Sequence, residues 1–141
     1  RVAGRPGDRH WRIGVRDPRN GDVLASLEVH DGESVFTSGD YERYFTHDGR
    51  RYHHILDPAT GRPARDVRSV TVIGDATAAD AAATALFVAG PGAWLEAAGR
   101  LGVDRVMLLD AEGRLHMTPA MAERARLEAE RPPTLLVSDR P

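Results

Sequence analysis

A chain of 141 residues that is 41% hydrophobic and 28% charged has the length and balance of one soluble domain with its own core, which excludes general disorder. Its formal net charge of -2 gives no electrostatic reason to expect nucleic acid or an anionic membrane as a partner. It has no cysteine, which excludes a disulfide framework, a thiolate metal site and a cysteine nucleophile.

No apolar run approaches the roughly 20 residues that span a bilayer, and the start, RVAGRPGDRHW, lacks an apolar leader and an initiator Met. The chain reads as the interior of a longer gene product, with any signal or anchor upstream. All the basic residues are arginine, read here as a compositional habit and not as a phosphate-binding surface.

Trp11, Ile13 and Val15 alternate with polar or small residues, DPRNGD supplies a turn, and Val23, Ala25, Leu27 and Val29 alternate again. This pattern predicts an antiparallel pair with one wet face. HDGES turns into VFTSG, and THDGRRYHHIL reads as a turn plus a strand that stops at Asp57-Pro58 and ATGRP. SVTVIGD is a further strand. Thr77 to Val88, rich in Ala with Leu and Phe, is a helix ended by Gly90-Pro91-Gly92. A second helix is expected over Ala93 to Leu101, a buried strand over Val106 to Leu109, a turn at DAEG into RLHMT, and a third helix over PAMAERARLEAE with Pro119 at its start. From Arg131 the expectation is an irregular, loosely held tail.

Strands first and helices late give an α+β class, with helices packed on an antiparallel sheet and no doubly wound alternation. The expected organisation is one unit over 1–130 and a tail over 131–141. No phosphate-binding glycine loop of the dinucleotide or P-loop kind is present; GRPG near the start is too weak a match.

Asp80 and Thr84 stand four residues apart in the predicted helix, so one face carries a carboxylate and a hydroxyl. Two hard oxygens suit Mg²⁺, which takes its remaining ligands from waters and a substrate phosphate. The same pair also fits a first-turn carboxylate favoured by the helix dipole beside a surface or back-bonded threonine. In YHHILDP, the two-residue strand period sends His53 and His54 to opposite faces, one toward core or pocket and one toward water. A histidine hydrogen-bonded at a strand end and a proton-handling or ligand-contacting one both fit. SGDYERYF offers Tyr41 for stacking on a ring and Ser38 or Asp40 for hydrogen bonds, although a purely structural turn explains it equally.

Taken in order, WRIGVRDP, SGDYERYF, YHHILDPATGRP, SVTVIG, ADAAATALFVAG and GRLHMTPAM resemble the later part of the ApbE family, the FAD:protein FMN transferases, from about Trp11 to about Met121. The resemblance implies an ApbE-like, T-fold-like α+β fold. It implies Mg²⁺-dependent transfer of FMN from FAD to a threonine of an acceptor flavoprotein, with AMP released. Asp80 and Thr84 match the family's metal-binding Asp and Thr. His54 matches the histidine of its flavin-site block and is the catalytic candidate, with Tyr41 beside it as a cofactor-binding candidate. Relatives are often held at the cell envelope, so membrane association would come only through an upstream segment. The family's glycine-rich GGIAKGYA-like segment, with another metal ligand and adenine-side contacts, has no match in this sequence, so the chain alone is expected to be inactive. A flavin-holding or FAD-scavenging protein without transfer, and a scaffold with a dead site, are the competing readings.

Overall fold

The computed structural model describes residues 1–139. The first hairpin forms where the alternation places it: β1 (Trp11–Arg16) pairs antiparallel with β2 (Val23–Val29), Ile13 opposite Leu27. Between them Asp17 starts the turn by accepting from the Arg19 backbone N–H at 2.9 Å, an Asx turn that Pro18 favours. β3 (Ser34–Gly39) follows. A second hairpin joins β4 (Tyr44–His47) to β5 (Arg50–His53), and its two-residue loop is Asp48-Gly49 with φ of 48° and 71°. Positive φ at both loop positions is what the right-handed twist of a tight hairpin needs, and Asp-Gly supplies it. The short ladder of β6 (Leu56–Asp57) and β7 (Arg62–Pro63) brackets the Asp57 turn, where the carboxylate takes the Ala59 N–H and the Thr60 hydroxyl.

β8 (Val67–Gly74) leads into α1 (Ala76–Ala89), whose N-cap Asp75 accepts from the Thr77 N–H. At the other end Gly90, at φ 73°, closes the helix by donating its N–H to the Leu86 carbonyl. α2 (Trp94–Leu101) and β9 (Val106–Asp110) then lead to β10 (Arg114–Met117).

β12 (Thr134–Val137), β10, β9, β8 and β3 make one five-stranded sheet in that order; β1, β2 and β11 (Ala125–Leu127) make a three-stranded one. Strand period explains how the two share a core. Val106 and Leu108 face the helices with Val70, Val72, Leu86 and Phe87, whereas Met107 and Leu109 face the smaller sheet with Val15, Leu27 and Val29. Strands β8 and β9 at the centre of the five-stranded sheet are therefore covered on both faces, helices above and sheet below, whereas its edge strand β12 is exposed. The α+β expectation holds, and the three-stranded sheet has one wet face.

Two expectations need correction. The third helix, α3, covers only Pro119–Ala122, capped by the Thr118 side chain, and the predicted helical run beyond it becomes β11 along β2. The residues Ala125, Leu127 and Ala129 are partly buried against the lower core, and Arg126 and Glu128 between them form an ion pair at 3.7 Å. That alternation has period two, and the otherwise open edge of β2 gives it hydrogen bonds that a solvated helix would not match. Nor is the segment after Arg131 irregular throughout: Thr134–Val137 pairs in parallel with β10, so the sheet is mixed. Residues 140 and 141, the end of that predicted tail, lie outside the described residues.

Two of the buried carboxylates, Asp17 and Asp110, are expected to make the fold sensitive to acid. Asp17 is held below the ordinary 3.8 by the Arg19 hydrogen bond, which outweighs burial. At Asp110 burial pushes the value up, but hydrogen bonds from His116 and Arg114 outweigh it and the carboxyl is lowered. A depressed folded value stabilises the fold fully above the unfolded value and is lost as pH falls through the folded one. Urea midpoints are therefore expected to hold above about pH 5 and to decline below it. In Asp17→Asn/Asp110→Asn the decline should be shallower; an unchanged acid slope would count against these two groups.

Candidate functional site

The end of β3 brings Ser38 to Thr84 and carries the Tyr41 ring, whereas His54 contacts Arg43 instead. Ser38 Oγ lies 3.0 Å from Thr84 Oγ1 on α1, a contact across 46 positions of sequence. Asp80 and Thr84 are both exposed on α1, one turn apart, while Ala79, Ala82, Ala83, Leu86 and Phe87 form the buried face at i, i+3, i+4, i+7 and i+8. The helix thus presents one carboxylate and one hydroxyl to solvent over a floor of small side chains. The first-turn alternative for Asp80 is overturned: the first turn of α1 holds no acidic residue, and the capping carboxylate is Asp75. Asp80 lies beyond the terminal turn in which the helix dipole acts most strongly. Thr84 points its hydroxyl to Ser38.

The donor chemistry fits a hard divalent cation: carboxylate and hydroxyl oxygens in open solvent, with a second hydroxyl from Ser38 alongside. The sequence offers Ser38 as a hydrogen-bonding residue of the SGDYERYF turn, with no partner on a helix. What its own pattern did not carry was the strand-to-helix contact that brings it to Thr84.

Tyr41 is half-buried, and its ring folds back over β3, where a Cβ on Gly39 would meet Tyr41 Cε1 at 2.5 Å. Glycine is what lets the ring lie there. Burial, then the charge of Glu42, pushes the phenol up against the opposing Arg16, so it stays a neutral hydrogen-bonding group at ordinary pH.

Of the two histidines, His53 faces inward and His54 outward. His53 Nε2 donates to the Ala64 carbonyl at 2.7 Å and its Nδ1 accepts from the Ile55 N–H at 3.3 Å, which uses both ring nitrogens and fixes a neutral latch between β5 and β7. Its ring meets Phe87 edge-on at 5.6 Å. His54 Nδ1 is 3.2 Å from the Arg43 carbonyl. A carbonyl can only accept, so Nδ1 is the donor here and Nε2 is the ring nitrogen left to other contacts. The exposed histidine is thus the one whose second nitrogen has no latch role.

Beside this strand runs a groove lined by Asp40, Arg50, Arg51, His53, Arg65 and Arg68. Asp40 is buried and accepts from Arg68 Nη1 at 2.9 Å, with Arg51 Nη1 farther off at 3.9 Å from its other oxygen. Four arginines around one carboxylate leave excess positive charge in the groove. The arginines dismissed as compositional habit are clustered here by the β4–β5 hairpin and β8, a grouping that residue counts do not reveal.

The profile of the ApbE family matches residues 1–107. The chain is 47% identical over 129 residues to the FAD:protein FMN transferase of Rhodobacter capsulatus, covering 91% of this chain and 24% of that protein. Over 83 residues it is 52% identical to the FAD:protein FMN transferase of Treponema pallidum, covering 57% of this chain and 23% of that one. Among solved structures, the ApbE protein of Thermotoga maritima superposes with a TM-score of 0.79 at 44% identity, over 88% of this chain and 41% of the other. The flavinyl transferase ApbE of Pseudomonas stutzeri does so at 0.65 and 41% identity, over 86% and 39%. The chain spans about a quarter of the length of these curated relatives and about two fifths of these solved chains. With the profile matching most of its length, the chain belongs to the ApbE family.

Proposed function

We propose that this chain supplies the α1 metal face and the His54 bend after β5 of an FAD:protein FMN transferase, acting on FAD and on a threonine of an acceptor flavoprotein. The carrying observation is the 3.0 Å contact between Ser38 and Thr84, which joins the SGDY block to the ADAAAT block at one place. Similarity to relatives named for this activity supports the reading.

Asp80 and Thr84 would hold Mg²⁺, which when bound neutralises charge on the diphosphate oxygens of FAD. The arginine groove adds fixed positive charge for the same oxygens. The acceptor hydroxyl attacks the phosphorus of the FMN half, a new P–O bond forms, the diphosphate bridge breaks, and AMP leaves with the bridging oxygen. The hydroxyl proton passes to solvent or to a base, for which Nε2 of His54 is the candidate, and Tyr41 offers a neutral ring and hydroxyl to the flavin. Because the glycine-rich segment expected of the family is not among these 141 residues, the activity is proposed for a polypeptide that joins the two.

The test is a chimera in which this chain replaces the matching segment of the Rhodobacter capsulatus protein. Incubated with FAD, Mg²⁺ and an acceptor protein, it should release AMP and add one FMN mass to a threonine. The 141-residue chain alone should give no covalent flavin. FAD bound without AMP release by the chimera would favour a flavin-holding protein, and covalent flavin on incubation with the chain alone would overturn the need for a second segment.

A further inference from the structure

On the far side of the molecule, the wet face of the three-stranded sheet holds a second cluster. Trp11 pairs with Val29 and Arg12 with Glu28, so the register brings His10 opposite His30, with Glu28 two positions along the same strand. Period two puts Glu28 and His30 on one face, and Val29 between them goes to the core. One ligating atom from each of His10, Glu28 and His30 lies within 4.8 Å of the other two. The imidazole rings approach to 4.0 Å with a 30° tilt. His30 Nε2 is 3.3 Å from Glu28 Oε1.

Two features ask for an occupant. His10 Nδ1 is screened from solvent and has no hydrogen-bond partner among the described residues, a state that buried polar atoms rarely keep without water or an ion. The cluster also borders a groove lined by Pro6, Asp8, Arg9, His10, Arg12 and Glu28, which leaves access and places the Asp8 carboxylate nearby. Arg12 is engaged elsewhere, hydrogen-bonded to Ser26 and to Glu128 at 3.4 Å, and so does not neutralise Glu28.

We propose that His10, Glu28 and His30 form a site for a borderline transition metal of the Zn²⁺ class. Two imidazole nitrogens and one carboxylate oxygen are a three-ligand set for tetrahedral zinc, the fourth position being left to water or Asp8. Mg²⁺ prefers oxygen donors and does not compete for it. The site differs in place and in donor chemistry from the Asp80 and Thr84 pair, and it stands whether or not the transferase reading does. Its effect is structural: His10 ends the N-terminal arm, which is already laid along the 31–33 turn by Val2 N–H to the Glu33 carbonyl at 2.9 Å and Gly4 N–H to Asp31 Oδ1 at 2.7 Å. A bound ion would clamp that arm to β2.

The experiment uses the 141-residue chain free of any histidine tag, titrated with Zn²⁺ by calorimetry and with Co²⁺ by visible absorption, each in excess Mg²⁺. One Zn²⁺ per chain, a tetrahedral Co²⁺ spectrum and a raised melting temperature are expected. Loss of an outer partner of a metal ligand typically weakens binding about 10- to 100-fold, so His10→Ala, His30→Ala and Glu28→Gln should each weaken Zn²⁺ by at least ~10-fold. His47→Ala, on the exposed β4–β5 hairpin, should leave it unchanged. Glu28→Gln keeps shape at an exposed position and reads the site even if a histidine variant fails to fold. Absence of stoichiometric Zn²⁺ in the native chain, or native affinity in Glu28→Gln and in every folded histidine variant, overturns the proposal; a simple His30–Glu28 ion pair gives that outcome.

Discussion

Replacing Asp80 with alanine in the chimera should lower Mg²⁺-dependent FMN transfer by about 100-fold or more, equivalent to roughly 3 kcal/mol of transition-state stabilisation. Asp80 sits in mid-helix and exposed, outside the first turn, so neither packing nor a cap should suffer from its removal. The defect is expected in transfer, with the melting temperature nearly unchanged. Asp80→Asn keeps one neutral oxygen and should fall between the two, with partial recovery at high Mg²⁺. Thr84→Ser keeps the hydroxyl and should retain most activity, whereas Thr84→Val loses both the proposed ligand and the Ser38 partner. Turnover of Asp80→Ala equal to the parent at limiting Mg²⁺ would remove the residue from the metal site.

What the sequence made legible follows from how local each signal is. The β1–β2 hairpin, α1 and its glycine stop are readable because strand alternation, a run of helix formers and a Gly terminator act within a few residues. The i, i+4 relation of Asp80 and Thr84 is equally local, so a candidate pair was visible in the string. The Ser38 contact to Thr84 and the ring of arginines at Asp40 were not, since both depend on strands brought together over dozens of residues. β11 was misread for a different reason: ARLEAE has good helix formers, but its apolar residues recur at every second position and the edge of β2 decided between the two. His53 and His54 illustrate the remaining limit. Their opposite faces could be read from period two, while which faced inward depended on Ala64 and Phe87, eleven and thirty-four residues away.

Phe87→Ala should be the most damaging single change to the fold. Phe87 is almost wholly buried, on the α1 face that packs against the five-stranded sheet. Truncating a buried phenylalanine costs about 3–5 kcal/mol through lost transfer energy and the cavity left behind, a large part of the roughly 5–15 kcal/mol that holds a domain together. For a chain of this size the melting temperature should fall on the order of 10–20 °C, whereas Phe87→Leu should lose about half of that or less. The ring also meets His53 edge-on, and His53 latches Ile55 and Ala64. The Ile55 amide, which donates to His53, should therefore exchange hydrogen faster in Phe87→Ala than the general loss of stability accounts for. A drop of only about a degree or two would mean that α1 is anchored chiefly by its alanines. In that case the helix would hold Asp80 and Thr84 in place through close backbone approach to the sheet, and the aromatic contact to the histidine strand would be incidental to the site.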